Sequence, residues 1–322
     1  METRPLIFDC DPGQDDAISL MMALAPEIVP DTALDIRAIT VVAGNTRLDK
    51  CVRNARLIAE ICGRADVPIF AGCDRPLKAS AATAEEVHGV EGLDGIKIYE
   101  PKLQAEAESA VDAIIRLCRT VEDIVLVPTG PLTNIATALT RAPDIASRIA
   151  EIVIMGGARS EAGNITPSAE FNVYADPDAA AIVFEADVPK TVFGLDVTHH
   201  ALIRPEHVSQ IEALDNPVAT ILSGMLRSDY AEFDAKKFGT AGTPIHDACT
   251  SAYLIQPELF TFREVSIRVE CESKLTRGHT SVDYWGLTEH AQDCRWATGV
   301  NADGFFELMR AQIKKYRATS SA

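Results

Sequence analysis

Asp9-Cys-Asp-Pro-Gly-Gln-Asp-Asp16 follows directly on the apolar run Leu6-Ile-Phe8, and this stretch decides how the chain folds. A short β-type run that ends in aspartates, turns at Pro12-Gly13 and passes into an apolar helical segment at residues 17–24 is the opening of a βαβ unit. Outward from it the same alternation continues. Residues 34–42, 67–70, 124–127, 149–155 and 191–195 predict the second to sixth strands, with helical segments between them. Val111, Ile114, Ile115 and Cys118 form a one-sided apolar stripe at helical spacing, as Val52, Ala55, Ala59 and Cys62 nearly do, so both read as core faces. Pro131, Pro177, Pro205 and Pro217 each predict a helix start. Beyond them the chain turns to β-type segments at 265–269, 280–284 and 296–300 and closes with a helix over 303–316. The expected architecture is one α/β domain, residues 1–322. It has a mostly parallel central sheet, helices on both faces and a smaller C-terminal β-containing cap.

Composition narrows the function. Thirty Lys and Arg stand against 47 Asp and Glu, a formal charge of −17 with no basic run. Nucleic-acid binding is disfavoured, because such affinity comes largely from cationic groups that release counterions. Eight scattered cysteines without a CxxC pair suit a reduced, cytoplasmic protein. There is no signal-peptide pattern and no apolar stretch of membrane-spanning length, so no membrane partner is expected.

Parallel sheets bind ligands beyond the carboxyl ends of their strands. Asp9, Asp11, Asp15 and Asp16 crowd one such end, and anions packed this closely call for a cation or for hydrogen-bond donors. Asp15 or Asp16 also suits a helix cap, which accounts for one aspartate and not for four. Oxygen-only ligands point to Ca²⁺ or Mg²⁺ rather than Zn²⁺. After later strands come Asn45 in Val-Val-Ala-Gly-Asn45, Thr129 in Val127-Pro-Thr-Gly130, and Met155-Gly-Gly157; turn chemistry accounts equally well for Asn45 and the glycines. Asn164, Glu170 and Asn172 lie close in sequence and match a polyhydroxyl ligand such as a sugar, or form a polar loop. His246-Asp247 precedes an apolar helix. The pair is either a helix start or a proton donor beside one more hard oxygen ligand. Residues 71–106 lack periodicity, as a loop that covers a site would.

Taken together, Asp9-Cys-Asp-Pro-Gly-Gln-Asp-Asp16, Val42-Ala-Gly-Asn45, Val87-His-Gly89, Val127-Pro-Thr-Gly-Pro-Leu-Thr-Asn134, Met155-Gly-Gly157, Glu170-Phe171-Asn172 and Ile245-His-Asp247 resemble the nucleoside hydrolases, in particular the inosine–uridine preferring group. The resemblance implies a Rossmann-like fold and Ca²⁺-dependent hydrolysis of a ribonucleoside to ribose and free base, in a homo-oligomer, expected to be a tetramer. It implies Asp11, Asp16, the Thr129 carbonyl and Asp247 as Ca²⁺ ligands, Asp11 as general base on a calcium-bound water, and His246 as proton donor to the departing base. Asp15, Asn164, Glu170 and Asn172 would hold the ribose. Asn45, Met155 and Phe171 would line the pocket, and His88 would sit in the covering loop. Tyr230, Phe233 and Phe238 either stack on the base or pack in the core. The competing functions are a nucleoside- or ribose-binding protein without catalysis, and a Mg²⁺ phosphohydrolase. The second of these wants Thr or Val where Pro12 stands.

Overall fold

The structure is a computed structural model that describes residues 4–26, 34–78, 82–228, 236–237, 239 and 241–316. Its strands are β1 (Pro5–Cys10), β2 (Asp35–Val41), β3 (Ile69–Ala71), β4 (Ile124–Pro128), β5 (Ile149–Met155), β6 (Lys190–Phe193), β7 (Leu202–Ile203), β8 (Thr243–Pro244), β9 (Phe260–Val269), β10 (Thr280–Asp283) and β11 (Cys294–Val300). Among the described residues, nine of them form one sheet in the order β10-β9-β11-β6-β5-β4-β1-β2-β3, while β7 pairs with β8 apart from it. The β3-β2-β1-β4-β5-β6 core is parallel throughout. This strand order reverses between β1 and β4, which opens a crevice at their carboxyl ends.

Strand alternation explains the layers. In β1, Leu6, Phe8 and Cys10 enter one core cluster and Ile7 enters the other, across the sheet. Both clusters are lined by helices, so the parallel strands read as continuous apolar runs. The C-terminal β-containing part is built onto this same sheet: β11 runs parallel to β6, and β9 and β10 add antiparallel partners at the edge.

The helices Pro177–Glu185, Pro205–Glu212 and Pro217–Met225 each begin at the expected proline. The helix expected from Pro131 begins instead at Thr133. Pro131 stays in the turn after β4, where its ring lies close over Gly44. Among the described residues, 71–106 hold the last residue of β3, the short helix Glu85–His88 and an isolated bridge from Phe70 to Glu106. The stretch is nevertheless clasped, since the Asn54 amide donates to both the Pro12 and the Glu91 carbonyls, at 3.0 and 2.9 Å. Among the described residues no helix is long and apolar enough to cross a membrane.

Candidate functional site

The crevice holds the site. After β1 the chain turns at Pro12-Gly13 and enters the helix Gln14–Ala23, whose first turn carries Asp15 and Asp16. The Asp16 carboxylate reaches back to accept from Gly13 N at 3.0 Å, so Asp16 does the capping. It also accepts from Thr129 Oγ1 at 2.8 Å and Asn45 Nδ2 at 3.0 Å, which ties the ends of β4 and β2 to that of β1. Asp11 accepts from Asn45 N at 2.6 Å through Oδ2, whereas its buried Oδ1 has no hydrogen-bond partner. A side chain at Gly44 would collide with this carboxylate, so only glycine lets β2's following turn approach it.

Asp15, Asp16 and Asp247 each bring a carboxylate oxygen to within 4.8 Å of the others. Asp247 opens the helix Ala248–Ile255 without a side-chain cap bond, so its carboxylate serves the cluster rather than the helix. Burial pushes the Asp11 and Asp247 carboxyls well above the usual range, reinforced by Asp16 at Asp11 and by Asp15, Asp16 and Asp11 at Asp247. Asp16 is pushed up to about 7 by burial and then by Asp15. Uncompensated anions at this depth are costly. A divalent cation answers that cost, and the unpartnered Asp11 oxygen together with hard oxygen donors from Asp16, Asp247 and the Thr129 carbonyl fits one. Asp9 stands apart by its contacts, accepting through Oδ1 from Thr40 Oγ1 at 2.7 Å and Asn134 Nδ2 at 2.8 Å and so bracing β1 against its neighbours, while its buried Oδ2 has no hydrogen-bond partner either. Burial raises it to about 7 as well.

Above the carboxylates lies a pocket of about 660 Å³, counting its solvent-open mouth. Asp15, Asn45, His88, Thr129, Met155, Asn164, Glu170, Phe171, Asn172, His246 and Asp247 all line it, with Lys237 added. Glu170 accepts from the backbone N–H groups of Gly157, Asn172 and Val173, and burial raises its pKa against them. The Asn172 amide donates to the Thr129 carbonyl at 2.7 Å, and Asn164 accepts from Phe171 N at 2.8 Å. Phe171 packs with Ala84 and Ala175, joined by Val87 and Ile165, into a small apolar cluster on the wall. His246 shares a 2.8 Å hydrogen bond between Nδ1 and Thr198 Oγ1, and its ring meets that of His199 edge-on at 5.7 Å. His199 in turn lies 3.2 Å from Glu161.

The structure brings Asp11, Asp15, Asp16, Asn45, His88, Thr129, Met155, Asn164, Glu170, Phe171, Asn172, His246 and Asp247 together at one crevice, while Gln14, Glu161, Thr198, His199 and Lys237, which touch or join them, were not singled out from the sequence. Tyr230, with Phe233 and Phe238, lies outside the described residues. His199 ends the short helix Leu195–Thr198 that follows β6, and neither it nor a lone threonine or glutamine stands out in the sequence.

The comparisons with known proteins agree with this geometry. A family model described as "Inosine-uridine preferring nucleoside hydrolase" matches residues 6–307. The chain is 42% identical over 314 residues to the pyrimidine-specific ribonucleoside hydrolase RihA of Escherichia coli (strain SMS-3-5 / SECEC), covering 97% of this chain and 99% of that protein. It is 40% identical to the RihA of Shewanella woodyi over 98% of this chain and 99% of the relative. Among solved structures, the purine-preferring ribonucleoside hydrolase from Gardnerella vaginalis superposes with a TM-score of 0.88 at 32% identity, covering 97% and 98% of the two chains.

Proposed function

This chain belongs to the inosine-uridine preferring nucleoside hydrolase family, and from that premise we propose that it cleaves pyrimidine ribonucleosides with the help of Ca²⁺. It is an N-glycosyl hydrolase that acts on ribonucleosides. The pyrimidine preference rests on its 42% identity, over nearly the whole chain, to relatives named pyrimidine-specific. The ion and the mechanism rest on one observation, the buried carboxylates of Asp11, Asp15, Asp16 and Asp247 gathered at one crevice, with one Asp11 oxygen left without a hydrogen-bond partner.

Asp11, Asp16, the Thr129 carbonyl and Asp247 would hold the Ca²⁺. Bound there, Ca²⁺ supplies Lewis acidity that makes water a better nucleophile near neutral pH. Asp11 receives the proton of the attacking water as general base. Asp15, Asn164, Glu170 and Asn172 orient the ribose hydroxyls; Glu170 and Asn172 are themselves fixed by backbone bonds, so little order has to be created on binding. Breaking the C1′–N bond builds positive charge on the ribose ring, and the acidic floor stabilises that charge.

His246 donates a proton to the departing base. Its Nδ1 partner is a hydroxyl, which donates to a neutral ring and accepts from a charged one, so the contact to Thr198 survives both states. A cytoplasmic location accords with eight free cysteines.

The test is release of reducing sugar from uridine, cytidine, inosine and adenosine separately. Uridine and cytidine are expected to be cleaved at least about tenfold more efficiently than the purines, a difference of about 1.4 kcal/mol in transition-state binding. Equal cleavage of all four would remove the pyrimidine preference. No ribose from any of them would remove the reading altogether.

A further inference from the structure

We propose that Asp196 is a positioning residue for the sugar: its carboxylate anchors the outgoing arm of the 156–170 loop and so holds Asn164 where a ribose hydroxyl meets it. The part played by Asn164 rests on the function proposed above, while the anchoring of the loop does not.

Residues 156–160 leave β5 without regular secondary structure, yet each of their five backbone N–H groups has a partner. Gly156 N donates to the Phe193 carbonyl at 3.1 Å, Gly157 N to Glu170 at 2.9 Å and Ala158 N to Thr280 Oγ1 at 2.9 Å. Arg159 N and Ser160 N then donate to the two Asp196 carboxylate oxygens at 2.7 and 2.9 Å, and Ser160 Oγ donates to the same group. A carboxylate that faces two successive N–H groups makes charge-assisted bonds, roughly twice as strong as neutral ones. Asp196 has no competing task in its own helix. The helix Leu195–Thr198 starts from Gly194, and the Asp196 side chain, only 9% exposed, is committed to the loop.

Beyond Ser160 the arm runs to Glu161, which lies 3.2 Å from His199, and on to Asn164 in the pocket wall. Asn164 Oδ1 accepts from Phe171 N at 2.8 Å, so the NH₂ is the part of this amide that can serve a hydroxyl. The returning arm is fixed independently: Thr166 Oγ1 accepts from Ser168 N and Ala169 N, and Glu170 accepts from three backbone N–H groups. Among the described residues, the backbone from Arg159 to Gly163 hydrogen-bonds outside the loop only to Asp196.

One short helix thus serves both halves of the reaction. Asp196 holds the loop that carries the sugar contact, and Thr198, two residues on, holds the proton donor His246. Loss of the first contact weakens the grip on ribose whatever the leaving group; loss of the second matters only where the leaving group needs a proton.

The experiment is a double-mutant cycle read on two substrates, uridine and an aryl riboside that leaves without protonation. Asp196→Asn keeps the shape and one acceptor but turns an NH₂ against one backbone N–H. It is expected to raise KM about fivefold on both substrates with kcat within about twofold, because both carry the same sugar. In an Asn164→Ala background, itself raised in KM, the same change is expected to cost less than about 1.5-fold, since residues that act through one contact are not additive. Amide hydrogen exchange over residues 159–163, followed by mass spectrometry, is expected to speed up about tenfold in Asp196→Asn.

Effects that multiply in the double variant, a loss confined to uridine, or an unchanged KM in either single variant overturns the ribose half. Exchange as slow in Asp196→Asn as in wild type overturns the proposal outright. If Asp196→Asn does not fold, Asp196→Glu, which keeps the charge and displaces it by one methylene, carries the same cycle. A wild-type enzyme inactive on every riboside would remove the functional reading, and the exchange measurement would still decide the anchoring.

Discussion

The two ends of the central sheet bury charge in opposite ways. At the amino ends of β5 and β6, Lys190 has a fully buried side chain, yet its Nζ donates to the Ala186 and Val188 carbonyls at 2.6 and 2.8 Å and to Asp293 at 3.0 Å. Beside it Glu151 accepts from Thr191 Oγ1 at 2.7 Å and Tyr253 OH at 3.0 Å, and pairs with Arg4 at 3.1 Å. Every charge there is answered by the chain itself. At the carboxyl ends, Asp11, Asp15, Asp16 and Asp247 are buried together, one Asp11 oxygen has no partner, and burial lifts three of these carboxyls far from their usual range. Burial of charge alone does not mark function. Charge that the fold leaves uncompensated does, because the chain carries that cost until a ligand arrives.

This contrast can be broken most forcefully at Asp11. Asp11→Ala is expected to lower kcat/KM for uridine more than about a thousandfold. Because it removes an uncompensated charge, it should leave the chelated protein at least as stable as wild type. Chemical denaturation beside ribose release measures both, and a large loss of stability would place Asp11 with the paired charges instead.

His246→Gln should cost about a hundredfold on uridine, and far less on an aryl riboside whose leaving group departs without protonation. Equal losses on the two substrates would take the proton-donor role away from His246.

Lys190→Met is expected to do the reverse of Asp11→Ala. Stranding two carbonyls and Asp293 should destabilise the fold by about 2–4 kcal/mol, with kcat/KM unchanged. Activity that fell in step with stability would show that the two ends are not independent.

The smallest effect is in the pH dependence. Burial holds Asp16 near 7, against about 3.8 in the unfolded chain, so between these values the chelated folded protein keeps a proton that the unfolded chain has lost. Its stability should therefore fall as pH rises through that window, by about 1 kcal/mol per pH unit from Asp16 alone, with Asp9, Asp11 and Asp247 adding in the same direction. Calcium displaces that proton, so the stability gained on adding calcium should grow from pH 4 to 7. A gain independent of pH would mean that calcium binds elsewhere.

Much of this was legible in the sequence, because the active end of the sheet is built from local patterns. The Asp9–Asp16 run, the residues after β4 and β5, and Glu170 to Asn172 announce themselves by residue type and by their place after a strand. The supports do not. Thr198 meets His246 across 48 residues, and Gln14 meets His88 across 74. A hydroxyl or an amide at such a distance leaves no periodicity to read. Asp9 shows the converse, since by sequence it belongs with the site aspartates, whereas strand alternation turns it toward Thr40 and Asn134. The placement of β11 beside β6 likewise depends on long-range pairing that no local run encodes.

The central claim is that the uncompensated carboxylates are a calcium site on which hydrolysis depends. The direct measurement is calcium bound per chain, by equilibrium dialysis of the chelated protein, alongside ribose release from uridine over the same titration. One calcium per chain, with activity recovered in proportion to occupancy and both lost together in Asp247→Ala, is the predicted result. Full activity in protein shown to hold no calcium would contradict it.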